Sequence, residues 1–287
     1  MKTLIYCKAI TAITLMALVL VSSGCIYRTS KTLIYETDIT FVDAIEASNT
    51  VGNIELQGEA DRKSDVHIRT EKRVTTYSLF GLLNPDRYLE RIITTEVLED
   101  GTAMLATEAI PQTSTWWYAV TPEIKRSIYA PVSTDAELRM DVGNLQVNNI
   151  TGAVAANVDV GNCTLDTIRG SVQATVNVGN FEAQTINGPI NANVDAGDIN
   201  IHADALVGNN YFGVNVGSVM VSLPSATQFR YKLDVDVGNI GSGGFDIAAT
   251  HPDVTGAHAE GCVQGNCNAS AYVEASVDVG DIVFSER

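Results

Sequence analysis

The sequence predicts an all-β protein, a parallel β-solenoid (β-helix) of roughly 18-residue coils with an N-terminal cap or insertion. Three observations lead there. Glycine recurs every nine residues, at positions 143, 152, 161, 170, 179, 188 and 197. Within the nine-residue blocks, two apolar positions flank a mostly polar one, as in Leu145-Gln146-Val147 and Phe181-Glu182-Ala183. Such alternation marks a short strand with one buried face. The blocks also alternate in kind. DVGNLQVNN, DVGNCTLDT and NVGNFEAQT open on Asp or Asn, whereas ITGAVAANV, IRGSVQATV and INGPINANV open on Ile. The repeat is therefore eighteen residues, two strands and two turns, too short to bury a core alone. Helix is excluded, because the spacing misses the 3.6-residue period and each interior glycine would cost ~1 kcal/mol.

Coils stacked ~4.8 Å apart form parallel ladders, and each corner is expected to use its glycine to reach φ > 0. The signature drifts but persists at Asn215-Val-Gly-Ser218, Asp236-Val-Gly-Asn239 and Asp278-Val-Gly-Asp281, and occurs early at Val51-Gly52-Asn53-Ile54. In chain order this divides the sequence into a leader (1–24), a linker (25–37), a first coil with an irregular cap or insertion (38–140), and regular repeats (141–287). The repeats are interrupted by an irregular stretch at 243–272. Within the cap, residues 66–70 and 92–97 are strand-like and 85–91 is a short helix.

The leader begins with Lys2 and Lys8, continues as an apolar run from Ala9 to Val21, and ends in Ser22-Ser23-Gly24 before Cys25. The apolar run is shorter than the ~20 residues of a membrane span, and the layout is that of an export signal. It resembles the lipobox of bacterial lipoproteins, although Ser22 stands where leucine is usual. The resemblance implies cleavage before Cys25, diacylation of its thiol and a lipid anchor in the cell envelope, at the outer membrane in a Gram-negative host. Ordinary secretory cleavage, with Cys25 as a spare thiol, is the alternative. Cleavage removes two lysines and no acid, so the formal net charge falls from −16 to −18. Such a surface repels phosphate backbones and excludes nucleic acid as a partner.

The Gly-Asn/Asp-Ile/Leu-x-Val repeats, the early Val51-Gly52-Asn53-Ile54, the segment IYAPVSTDAEL (128–138) and the closing Val279-Gly280-Asp281-Ile282 resemble a family of exported bacterial domains of unknown function labelled putative adhesins. The resemblance spans roughly residues 38–285. It implies a non-enzymatic structural or interaction module, adhesive or scaffolding, whose partner is an envelope protein or a glycan. It supplies no catalytic residues.

Four readings bear on function. The first is the column formed by the first block position, namely Asp141, Asp159, Asn177, Asp195, Asn215, Asp236 and Asp278. Carboxylates stacked at this spacing repel unless hydrogen-bonded or bridged by a cation. The column reads as turn capping through Asx geometry or as a weak Ca2+ site, but it lacks the G-G-x-G-x-D of calcium-binding repeats. No other cofactor or metal is expected. The second is Cys262 and Cys267, expected as a disulfide in an oxidising compartment, with zinc ligation alongside His251 and His258 as the alternative. Cys163 occupies an inward position as a buried thiol. The third is Trp116-Trp117-Tyr118, either a plug for the open end of the solenoid or an aromatic platform for a partner. The fourth is a glycan-active enzyme on the same scaffold, which requires paired carboxylates or a basic residue in a groove. No G-x-S-x-G, H-E-x-x-H or phosphate loop occurs.

Overall fold

Strand Val154–Val160 shows how the alternation is used. Val154, Ala156 and Val158 are buried, while Asn157 faces solvent. Its parallel neighbours are Asp135–Ile150 and Val172–Val178, in the register Ala136↔Val154↔Val172. Strand Cys163–Ile168 repeats this on a second wall, between Asp135–Ile150 and Phe181–Ile186, as Leu145↔Cys163↔Phe181. These partners are separated by 18 residues, the sequence repeat. The inward side chains of both walls merge in one core that runs from Val42 to Phe284. The computed structural model describes residues 4–6, 26–78, 83–110, 112–115, 118–250 and 255–287. Over these the protein is all-β, 69% strand and 3% helix, with mostly parallel strands curled into a nearly closed, barrel-like sheet.

The two corners of each layer solve their geometry differently. At the first corner Gly161 has φ 143°, and a Cβ built there would lie 1.7 Å from the carbonyl oxygen of Gly143 in the layer below. Both the dihedral and the close approach require glycine. At the second corner the expectation of φ > 0 at glycine is corrected. Gly152, Gly170 and Gly188 are absent from the positive-φ residues, which at this corner are Asn149, Thr167 and Thr185, at 53° to 57°. Gly170 is needed for space instead, since its Cβ would sit 2.0 Å from the oxygen of Gly152. The left-handed residue also breaks the alternation. After Leu165, two partly exposed residues precede Ile168, so that Ile168 turns inward. A β-branched threonine in this region is a rare conformation, here held by the layers above and below.

The ends depart from serial stacking. Ala44–Glu59 pairs along one side with Asp135–Ile150 and along the other with Thr102–Glu108 and Tyr118–Pro131. It therefore lies inside the stack, covered by chain that follows it. At the other end, Tyr272–Val279 slots between Asn209–Val216 and Arg230–Val237. Ile282–Glu286 likewise lies between Val219–Leu223 and Ile240–Gly243. At both ends, therefore, a layer does not rest on the one before it in sequence.

Antiparallel strands finish the walls. Asp65–Ser78 pairs with Tyr118–Pro131, and Ile26–Thr40 pairs with Asp65–Ser78. Ile93–Glu99 pairs with Thr102–Glu108. The linker expected at 25–37 is thus a strand from Ile26 onward, because its alternating residues complete the wall. At its start it also pairs with Leu4–Tyr6. The stretch expected as irregular at 243–272 contains Ala257–Cys262, antiparallel to Arg230–Val237. The helix of the cap is short, Asp86–Leu89, and Leu89 joins a second small core with Val74, Ile92, Ile110, Val120 and Ile124.

Three substitutions test the need for space at the corners. Gly161→Ala and Gly170→Ala are both expected to lower stability by on the order of 3 kcal/mol through backbone overlap. Gly241→Ala, whose Cβ would meet its nearest atom at 3.6 Å, stays near neutral. Urea unfolding midpoints of the three variants check this. A neutral Gly170→Ala would show that the layers do not approach as described.

Candidate interaction surfaces

A concavity of about 590 Å³ runs across the layers on the outer side of the first wall. It exists because outward positions there carry short side chains, Ala153, Ala155 and Ser171 among them. Register places Glu46, Glu137, Ala155, Gln173 and Asn191 in one file, each opposite the next on paired strands. One end of the groove is therefore acidic and the other carries neutral amides. Within it Glu46 and Glu137 are cross-strand neighbours, and Arg139 Nη2 holds Glu137 Oε1 at 2.5 Å.

The column of first-position residues is exposed along one corner. Its recorded hydrogen bonds run from side chain to side chain. Asn177 Nδ2 donates to Asp159 Oδ1 at 3.1 Å, and Asn215 Nδ2 donates to Asp195 Oδ1 at 3.2 Å. Asparagine interleaved among aspartates relieves part of the like-charge repulsion. Turn capping, expected of this column, is carried out three residues later by a ladder that sequence reasoning missed. Asn53, Asn144, Asn162, Asn180 and Asp198 each accept the N–H of the corresponding residue one layer on, at 2.8–3.1 Å. Asp281 does the same for Asn239 at 2.8 Å. The signal was available in the recurrent residue after each Val-Gly. Between the two ladders stand Val142, Val160, Val178, Val216, Val237 and Val279, all 47–57% exposed.

Cys262 and Cys267 are joined, with Cα atoms 5.0 Å apart, beside the antiparallel strand that covers the C-terminal end. His258 Nδ1 contacts Asp234 Oδ1 at 2.5 Å, and His251 lies outside the described residues. Among the described residues no three His, Cys, Asp or Glu side chains converge to hold a metal ion. Cys163 is fully buried, which pushes its thiol up to about 12 and keeps it protonated. Trp116, Trp117 and Cys25 lie outside the described residues. Tyr118, which begins the strand Tyr118–Pro131, packs half-buried against the small second core. No helix among the described residues is long and apolar enough to cross a membrane.

A second group missed in the sequence lies between the walls at the N-terminal end. Arg126 is fully buried, and burial lowers its pKa and that of Lys72 nearby. The sequence signal was Ile124-Lys-Arg126-Ser-Ile128, which places an arginine on the buried face of its strand. Asn49, Glu96, Thr70 and Thr107 surround the pair.

No protein-family model matches this chain, and no curated protein matches it. Solved structures do. A putative adhesin from Bacteroides fragilis is similar at 15% identity over 88% of this chain and 97% of that one, with a TM-score of 0.48. A putative cell adhesion protein from Clostridium sporogenes is similar at 12% identity over 90% of this chain and 100% of that one, with a TM-score of 0.39. A putative lipid binding protein from Parabacteroides distasonis is similar at 12% identity over 89% and 95%, with a TM-score of 0.31.

The two ladders make opposite forecasts. Asn162→Ala removes the acceptor of the Asn180 N–H and should cost about 1 kcal/mol. Asp159→Ala loses an exposed contact and some repulsion together, and should stay within ~0.5 kcal/mol of the parent. Denaturant midpoints measured side by side check the pair. Equal losses would return the capping role to the first-position column.

Proposed function

We propose that this chain is a non-enzymatic contact module of the cell envelope, a β-solenoid whose eighteen-residue repeats each form one coil, adhesive or scaffolding in role. The observation that carries the reading is the groove of about 590 Å³ laid across successive layers. Stacked repeats create extended surfaces that bind along their length, and this one offers amides and small side chains at one end with carboxylates at the other. An envelope polypeptide with a basic segment, or a glycan, matches that lining. The strongly acidic chain is unsuited to nucleic acid. We further propose that the chain is exported and anchored through acylated Cys25, at the outer membrane in a Gram-negative host. Export cleavage would remove Leu4–Tyr6 and leave Ile26–Thr40 as the edge strand, one residue from the anchor.

One observation favours a second reading, a glycan-active enzyme. Glu46 and Glu137 are neighbouring carboxylates in the groove, with Arg139 held on Glu137. Paired carboxylates are the machinery of glycoside hydrolysis.

Two experiments test these proposals. Ala155→Arg fills the middle of the groove from an outward position. It should weaken retention on purified envelope material by about tenfold, worth ~1.4 kcal/mol, with the melting temperature nearly unchanged. Unaltered retention would move the contact surface elsewhere. Glu46→Gln and Glu137→Gln should also weaken retention, because they remove the charge at the acidic end of the groove. Loss of polysaccharide cleavage in either, with binding intact, would establish the enzyme. For the anchor, Cys25→Ala should release the protein from the detergent phase of a phase partition, because two or three acyl chains hold firmly where one is marginal. Unchanged partitioning of the variant would dismiss lipidation.

A further inference from the structure

We propose that the open N-terminal end of the stack is a binding site for an organic monoanion, a carboxylate bearing an apolar tail, with Arg126 as its anchor. This site is independent of the groove and of the reading built on it.

Register brings the residues together. On the second wall Tyr35, Thr70 and Arg126 lie opposite one another on Ile26–Thr40, Asp65–Ser78 and Tyr118–Pro131. Leu33 and Lys72 lie opposite each other one step further along. Cross-strand partners share a face, so all five point the way of buried Arg126 and Lys72, between the walls. On the facing wall Thr94, Glu96 and Leu98 lie opposite buried Thr107, Leu105 and Ala103, and point inward for the same reason.

The polar atoms are incompletely matched. Arg126 Nη2 donates to Thr107 Oγ1 and, at 3.4 Å, to the Ala106 carbonyl. Its Nε and Nη1, the Tyr35 hydroxyl beside it and Asn49 Oδ1 are buried with no hydrogen bond within 3.5 Å. Lys72 Nζ donates to the Ile92 carbonyl and to Thr94 Oγ1, both at 3.0 Å, and stands 5.4 Å from the centre of the Tyr35 ring. Glu96 accepts from Thr70 Oγ1 at 3.4 Å. No ion pair within 4.0 Å joins Glu96 to either cation among the described residues. Two buried cations against one carboxylate leave one positive charge uncompensated, and buried donors without acceptors are costly. A monoanion supplies both the charge and the acceptor. A dianion would overshoot.

The entrance selects the rest of the ligand. Beyond Arg28, where Leu4–Tyr6 no longer pairs with it, Ile26–Thr40 is the outermost strand of its wall, Ile93–Glu99 is the outermost strand of the other, and the two do not pair with each other. Although they face inward, Leu33 is 50% exposed and Leu98 is 41% exposed. The two unpaired edges thus carry exposed leucines, with Lys72 and Arg126 buried behind them. That arrangement admits an amphiphile head first and covers its tail.

Titration of the full mature chain with octanoate tests the proposal, with acetate and octanol as the tail-less and charge-less controls. We expect saturable heat of binding and a rise in melting temperature with octanoate, weaker binding of acetate, and none of octanol. Arg126→Met should weaken octanoate by roughly 10- to 100-fold, the value of a charged hydrogen bond. Should that variant fail to fold, Leu98→Asp, a change at the exposed edge, should weaken octanoate with the melting temperature of the free protein unchanged. The proposal is overturned if octanoate shows no saturable binding to the parent. It is equally overturned if octanol binds as well, or if the folded variants bind as the parent does.

Discussion

A carbonyl oxygen in each layer occupies the place where the next layer's corner glycine would carry a side chain, and the stack depends on that approach. The contact at Gly161 recurs at Gly179, Gly197 and Gly217, where the built Cβ falls 1.8–1.9 Å from the glycine oxygen below. With the corners this close, the turns continue the ladders. The N–H of Leu145 donates to the Asn162 carbonyl, that of Cys163 to Asn180 and that of Phe181 to Asp198, each at 2.9 Å. A corner that stood further out would lose these bonds and leave buried backbone groups unpaired. The apolar core follows from this spacing. Valine, leucine and isoleucine of one layer fall directly on those of the next only because the corners fix the rise.

The same register that stacks hydrophobic residues also stacks polar ones, which is a liability for an acidic chain. Two devices answer it. The file of Asn53, Asn144, Asn162, Asn180 and Asp198 turns a potential column of charge into a chain of acceptors for backbone N–H groups. In the outer file, asparagine at 177 and 215 bonds to the aspartate below it. At the N-terminal end the balance differs, for there Arg126 and Lys72 are buried with a single carboxylate near them.

The regular part of this arrangement was legible in the chain. Period, alternation and the Asp-Val-Gly-Asn signature specify strands, their parallel pairing and the inward residues, because each is a local property repeated. Three things were not legible, for one shared reason: they depend on which strand meets which across long separations. The glycines at 152, 170 and 188 look like their counterparts in sequence but serve close approach, with the left-handed residue displaced to 149, 167 and 185. The capping asparagines recur after each Val-Gly as regularly as the aspartates three residues earlier, and recurrence alone does not say which of the two side chains reaches the next layer. The polar group around Arg126 draws on strands from residue 26 to residue 131, and no periodicity connects them.

The order of layers at the C-terminal end bears on how the molecule would respond to force. Tyr272–Val279 is held on one side by Asn209–Val216 and on the other by Arg230–Val237, and Ile282–Glu286 is held likewise. Tension on the last residue therefore does not peel an outer layer one hydrogen bond at a time. It loads two parallel ladders on each wall at once, in shear, and the layer under load is flanked by others that must separate before it can leave. The first layer, Ala44–Glu59, is enclosed in the same way by chain on both sides. The C-terminal grip is thus clamped inside the stack, whereas a pull from the N-terminal side falls first on the antiparallel edge strand Ile26–Thr40.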